Sequence, residues 1–170
     1  VSRTAPVSHC HQFTSNTKVV DACGVTDAGI KKLAQKCPNL KKVSLPGSDL
    51  GNDALIHFLH YCKDLTHLEL SGRNITADGF YKLTEHPEWA NKLKKLRLED
   101  CLDNKNYMQG LRAFGRMRPR LSVEQVTTGQ FKKDGWWQME VYHETYKNGR
   151  KVPYKIPRDC GPPPGRNPYY

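Results

Sequence analysis

The residues with the richest chemistry are seven histidines and six cysteines in a chain of 170. His9-Cys10-His11 is the only local cluster of metal-ligand types. Neighbouring side chains in an extended chain point to opposite sides, so only His9 and His11 could share an ion, and the segment reads as a polar loop. His57 and His60 stand three apart on one helical pattern and read as a solvent-side pair, while His67, His86 and His143 fall on other segments. The cysteines, Cys10, Cys23, Cys37, Cys62, Cys101 and Cys160, form no CxxC. That spacing weakens a zinc or thioredoxin-like reading. No phosphate loop, GxSxG elbow, HExxH or EF-hand loop occurs. Nothing assembles a nucleophile, a base and an orienting group, so neither catalysis nor a cofactor or metal is expected.

Charge is the most lopsided number. Lys and Arg total 27 against 17 acidic residues, a formal net charge of +10. The excess is spread along the chain without a block of like charges, which disfavours a dedicated nucleic-acid arm. Hydrophobic residues make up 37% and charged ones 26%. No run approaches the roughly 18 apolar residues of a membrane span, and residues 1–20 contain no apolar core of a signal peptide.

The elements that would position any site follow from an internal repeat. Leu40-Lys41-Lys42-Val43-Ser44-Leu45, Leu65-Thr66-His67-Leu68-Glu69-Leu70 and Leu93-Lys94-Lys95-Leu96-Arg97-Leu98 all read L-x-x-[LV]-x-L. The steps between last leucines are 25 and 28 residues, and extension by 25 in either direction lands on Val20 and Val123. Between these strands, Ile30, Leu33, Ala34 and Cys37 share one helical face, as do Leu55, Ile56, Leu59 and Cys62. A third helix is expected from Asp78 to about Glu85, with capping oxygens at Thr76 and Asp78, and a fourth from Asn106 to Met117. An insertion around Pro87-Glu88-Trp89 accounts for the longer step. One strand–helix unit cannot bury its own apolar faces, so neighbours must stack. The expected fold is α/β, a short solenoid with a parallel sheet on its concave side and helices on its convex side.

The residues carry a resemblance. Thr26-Asp27-Ala28-Gly29-Ile30 followed by Cys37-Pro38-Asn39-Leu40-Lys41-Lys42-Val43 resembles the cysteine-containing leucine-rich repeat, ITDxGLxxLAxxCPxLxxLxLxxC, of F-box substrate receptors of ubiquitin ligases and related RNI-like proteins. The likeness covers residues 20–126. Cys23 and Cys101 match the cysteine after the strand, and Cys37 and Cys62 the one ending the helix. Ser48 and Arg73 depart from the pattern. The resemblance implies an F-box upstream of Val1 and contact with SCF ligase components through a region outside this chain. At inward helix ends Cys37 and Cys62 are expected as free, buried thiols, so a reducing, cytoplasmic or nuclear location is expected. The sequon Asn74-Ile75-Thr76 has no meaning there.

The expected organisation is an irregular segment over 1–18, repeats over 19–128, a β-hairpin cap over 129–157 and a Pro/Gly-rich tail over 158–170. The cap rests on the aromatic and β-branched run from Trp136 to Tyr146, the Asn148-Gly149 turn and a returning arm whose Pro153 suits an edge strand. Trp137, Met139 and Val141 are expected to face the last repeat, and the rival reading makes Trp136 and Trp137 an exposed aromatic contact.

A repeat of this kind offers a surface. Lys42, His67, Lys95 and Arg120 are expected in one column across the concave face. Ser44, Glu69, Arg97 and Ser122 form the next, and Pro46, Ser71, Glu99 and Glu124 the third. The expected function is a non-catalytic protein-binding module whose partner has an acidic surface, in a substrate-recognition or scaffolding role, with no membrane involvement. The alternatives are a basic nucleic-acid-associated module and a structural subunit of a larger assembly.

Overall fold

The computed structural model describes residues 24–100 and 104–153, together with the backbone of 16–18. The expectations for His9-Cys10-His11, Val20, Cys10, Cys23, Cys101, Cys160 and the tail over 158–170 lie outside these residues.

Each leucine motif forms a short strand, and each helical pattern returns the chain to the next one. The order is β1 (Asn16–Lys18), α1 (Asp27–Lys36), β2 (Lys42–Leu45), α2 (Asn52–Tyr61), β3 (His67–Ser71), α3 (Ala77–Thr84), β4 (Lys95–Glu99), α4 (Lys105–Met117) and β5 (Ser122–Lys133). Then β6 (Trp136–Lys147) and β7 (Arg150–Val152) follow. All strands join one open sheet in chain order, parallel from β1 to β5 and antiparallel from β5 to β7. The protein is a mixed α/β structure.

Alternation along the strands separates core from surface. Val43, Leu68, Leu96 and Val123 are cross-strand partners and all buried, as are Leu45, Leu70 and Leu98. The helices bring Ile30 and Ala34, then Leu55 and Leu59, then Phe80 and Leu83, then Leu111 and Phe114, into the same core. Burying each such leucine or phenylalanine contributes about 1.5–3 kcal/mol. The helix bounds agree with the sequence reading to within a residue or so. Their caps differ. Thr26 Oγ1 accepts the Gly29 N–H at 3.2 Å and Asn104 Oδ1 the Tyr107 N–H at 2.8 Å. Thr76, expected to cap α3 with its own oxygen, makes no such bond and is instead held by Asn52.

The register of the fourth unit is corrected. Lys95 pairs with Ser122, Arg97 with Glu124 and Glu99 with Val126. The leucine marker therefore passes from Leu98 to Gln125, a step of 27 rather than the 25 that pointed to Val123. The cause is α4, 13 residues long where α1 and α2 have 10. Arg120 consequently sits in the turn before β5 and not in the sheet column, and Pro46 follows β2 in a turn.

The C-terminal arm also differs. β5 runs on through residue 128, where the repeats were expected to end, and pairs along its full length with β6. The helix layer is left behind, so Trp137, Met139 and Val141 do not face the last repeat: they are 71%, 68% and 52% exposed. Only Tyr146, opposite Val123, enters the core from β6.

The cysteine expectation holds in part. Cys37 and Cys62 are the C-caps of α1 and α2, equivalent and buried. Cys62 is a free thiol, pushed up to about 12 in pKa by burial, and its Sγ lies 3.6 Å from the Cys37 carbonyl oxygen. Cys37, expected to be free, is disulfide-bonded. Spacing along the chain gives no information on which side chains the fold brings together. Disulfides persist in oxidising compartments, so the thiols no longer argue for a reducing one.

Candidate functional site

The side of the sheet away from the helices is built from the residues between the leucines. In β3 and β4 these are His67, Glu69, Lys95, Arg97 and Glu99, each part-exposed and alternating with buried Leu68, Leu70, Leu96 and Leu98. Lys42 stands beside His67 and Ser44 beside Glu69, in the expected columns, with Ser71 beside Glu99. Arg120 does not join them, and Glu124 takes the place beside Arg97 where Ser122 was expected.

The new register explains the electrostatics. Lys95 Nζ lies 2.9 Å from Glu124 Oε1 on the diagonal. Arg97 is clasped on two sides, with Nε 3.1 Å from Glu69 Oε1 and one Nη 3.1 Å from Glu99 Oε1. The Nη contact is a hydrogen bond, whereas Nε points off the Glu69 oxygen and is held by charge alone. Ser44 Oγ donates to the other Glu69 oxygen. Lys42 of the expected basic column has no ion pair among the described residues, whereas Lys95 is paired with an acid, as is Arg97 of the next column. Such part-exposed pairs contribute little to stability, about 0–1 kcal/mol each, but they fix where each charge stands.

His67 is placed by its neighbour. Thr66 Oγ1 gives its single proton to the Lys41 carbonyl at 2.8 Å, so the 2.9 Å contact with His67 Nδ1 has the ring donating. Burial lowers the His67 pKa, and Lys42, Lys95 and Lys94 lower it further. The imidazole is neutral at pH 7, with Nε2 an acceptor.

The same face runs outward along the arm. Directly opposed residues of an antiparallel pair share a face, so Val126 with His143, Thr128 with Val141, Gln130 with Met139 and Lys132 with Trp137 continue the surface that starts at Glu124. The other face of the arm carries Trp136, Phe131 and Tyr142, which are 77%, 39% and 48% exposed. Tyr142 folds its ring over Gly129, where a Cβ would come within 2.8 Å of it. Among the described residues β7 pairs only with Thr145, Tyr146 and Lys147 of β6, and no described strand lies along the outer edge of 136–144. Apolar side chains stand exposed on both faces of the arm. Sequence reasoning placed Trp137, Met139 and Val141 inside and kept an exposed Trp136 and Trp137 as the rival reading, because a period of two identifies a face without saying whether anything covers it.

Among the described residues no three histidine, cysteine or acidic side chains come together as a metal site. No described helix is long and apolar enough to cross a membrane. Compared with models of known protein families, the chain matches none.

Proposed function

We propose that this chain is a protein-recognition module of the leucine-rich-repeat type. Four successive strand–helix units with one leucine ladder support the repeat reading, and the open sheet face with its projecting arm supports the binding role. The observation that carries it is the exposure of Trp136 and Trp137, at 77% and 71%, on an arm that leaves the core behind. Tryptophans are costly to leave in water and dominate binding energy where a partner covers them. The partner lays an extended segment along the arm, using the edge of β6 that no described strand covers and the apolar side chains beside it. Because Lys95 is paired with Glu124 and Arg97 with Glu69 and Glu99, the sheet face selects orientation rather than an acidic partner in bulk. The resemblance to F-box receptors would make the module a substrate reader for an SCF-type ligase, a context that requires Cys37 in its reduced form.

The test is capture. Immobilised wild-type chain and the Trp136→Ser/Trp137→Ser variant are exposed to the same cell extract and the retained proteins identified. Both side chains are exposed, so the variant keeps its fold, checked by circular dichroism. Loss of specifically retained proteins supports the role, and an unchanged set contradicts it.

A further inference from the structure

One more feature lies away from the sheet face. The turn between β6 and β7 rests on α4, and the contact is made by glycines. Asn148 and Gly149 both have left-handed backbone, φ 50° and 68°, which makes the two-residue turn tight. A Cβ on Gly149 would sit 2.4 Å from the Arg112 carbonyl, and one on Gly115 would sit 2.9 Å from the Gly149 nitrogen. Backbone therefore packs on backbone. This brings Arg150 and Lys151, at the start of β7, beside Arg112 and Arg116, one turn apart on α4.

The result is a cleft of about 510 Å3 lined by these four cations with Asn148 and Gly149, and by no acidic residue. Lys151 has an ion pair, to Glu144, but among the described residues none is recorded for Arg112, Arg116 or Arg150. Compensation of the α4 dipole accounts for one cation in its last turn, Arg116. It does not account for Arg112 a turn earlier or for two more charges from another element. On the sheet face, by contrast, Lys95 and Arg97 each have an acid against them.

We propose that this cleft binds a small anion carrying two or more phosphate groups. Guanidinium forks suit phosphate oxygens, two bonds at a time, and guanidinium groups on two elements can engage more than one phosphate. The volume is in the range of small-molecule sites, about 300–1,000 Å3. The cations close around one cleft instead of following a stripe, which favours a compact polyphosphate over a nucleic-acid strand.

The test is calorimetric titration of the full chain with tripolyphosphate, ATP, orthophosphate and a single-stranded oligonucleotide, at fixed ionic strength. Tripolyphosphate is expected to bind at one site and at least about tenfold more tightly than orthophosphate. The Arg112→Ala/Arg116→Ala/Arg150→Ala variant is expected to lose at least about tenfold, and the corresponding lysine variant about threefold or more, because charge remains but the fork is gone. All three arginines are exposed, so folding is unaffected. A control, Lys41→Ala/Arg73→Ala/Arg120→Ala, removes equal charge elsewhere and should leave affinity unchanged. ATP binding like tripolyphosphate marks recognition of the phosphates alone, and tighter ATP binding adds a nucleoside contact; both support the site. The proposal is overturned by no binding at about 1 mM, by equal losses in the control, or by an oligonucleotide that binds more tightly through the same arginines.

Discussion

Asn52, the first residue of α2, holds the start of α3: its Oδ1 accepts the Thr76 N–H at 2.9 Å and its Nδ2 donates to Thr76 Oγ1 at 2.8 Å. One unit earlier, Asp27 Oδ1 accepts the Gly51 N–H at 3.2 Å in the same way. Two residues 25 apart thus tie each helix to the N-terminus of the next, satisfying a donor that a helix start would otherwise leave open. The next equivalent, Ala77, has no such group, and there Gly110 lets α4 approach its backbone closely instead.

Replacing Asn52 with Leu should therefore cost about 1–2 kcal/mol, read from urea unfolding, with Asn52→Asp losing less because it keeps the acceptor. The neighbouring Gly79 gives a sharper check. A Cβ there would lie 2.3 Å from Asn52 Oδ1, so Gly79→Ala should destabilise, against its helix propensity. In an Asn52→Ala background the same change should become neutral or stabilising.

Arg118 anchors the insertion before β4. Almost buried at the end of α4, it donates to the Ala90 carbonyl at 2.9 Å and to the Trp89 carbonyl, and lies over the Phe114 ring at 5.1 Å. Arg118→Met removes both donors and leaves carbonyls unpaired, so unfolding should become easier by about 3 kcal/mol. Arg118→Lys should recover only part of this, since one ammonium cannot reproduce the fork.

The His67 pKa is lowered from 6.5 by burial first and then by Lys42, Lys95 and Lys94. The unfolded chain accordingly takes up this proton more readily than the native one. The contribution to stability is complete above about pH 6.5 and is lost as pH falls through the native value. His67→Gln should show a smaller loss of urea midpoint between pH 7.5 and pH 5 than the wild type. An equal loss would remove His67 from the acid response.

The two buried cysteines should differ in alkylation. Native Cys62 should resist iodoacetamide, since burial holds its thiol protonated, with a pKa of about 12. It should react on unfolding without reductant. Cys37 should react only after unfolding and reduction together. Peptide mapping reads both, and Cys37 labelled without reductant would contradict its disulfide.

Much of the scaffold was legible because a leucine ladder and a helical face both report local burial. Leu68, Leu96, Ile30 and Leu55 lie where periodicity put them. Register across β4 and β5 was not, since three extra helical residues in α4 move every later pairing by two and exchange Arg120 for Ser122. The four-cation cleft was invisible for a different reason. Arg116 and Arg150 are far apart in sequence, and only the glycine contact between helix and turn brings them together.

The central claim, that the arm is where a protein partner docks, is tested most directly by hydrogen exchange on the chain with and without a protein recovered by capture. Slowed exchange is expected for the amides of 136–144, whose outer edge carries no described strand, together with slower exchange in β5 opposite them. Protection confined to the helices, with 136–144 unchanged, would contradict it.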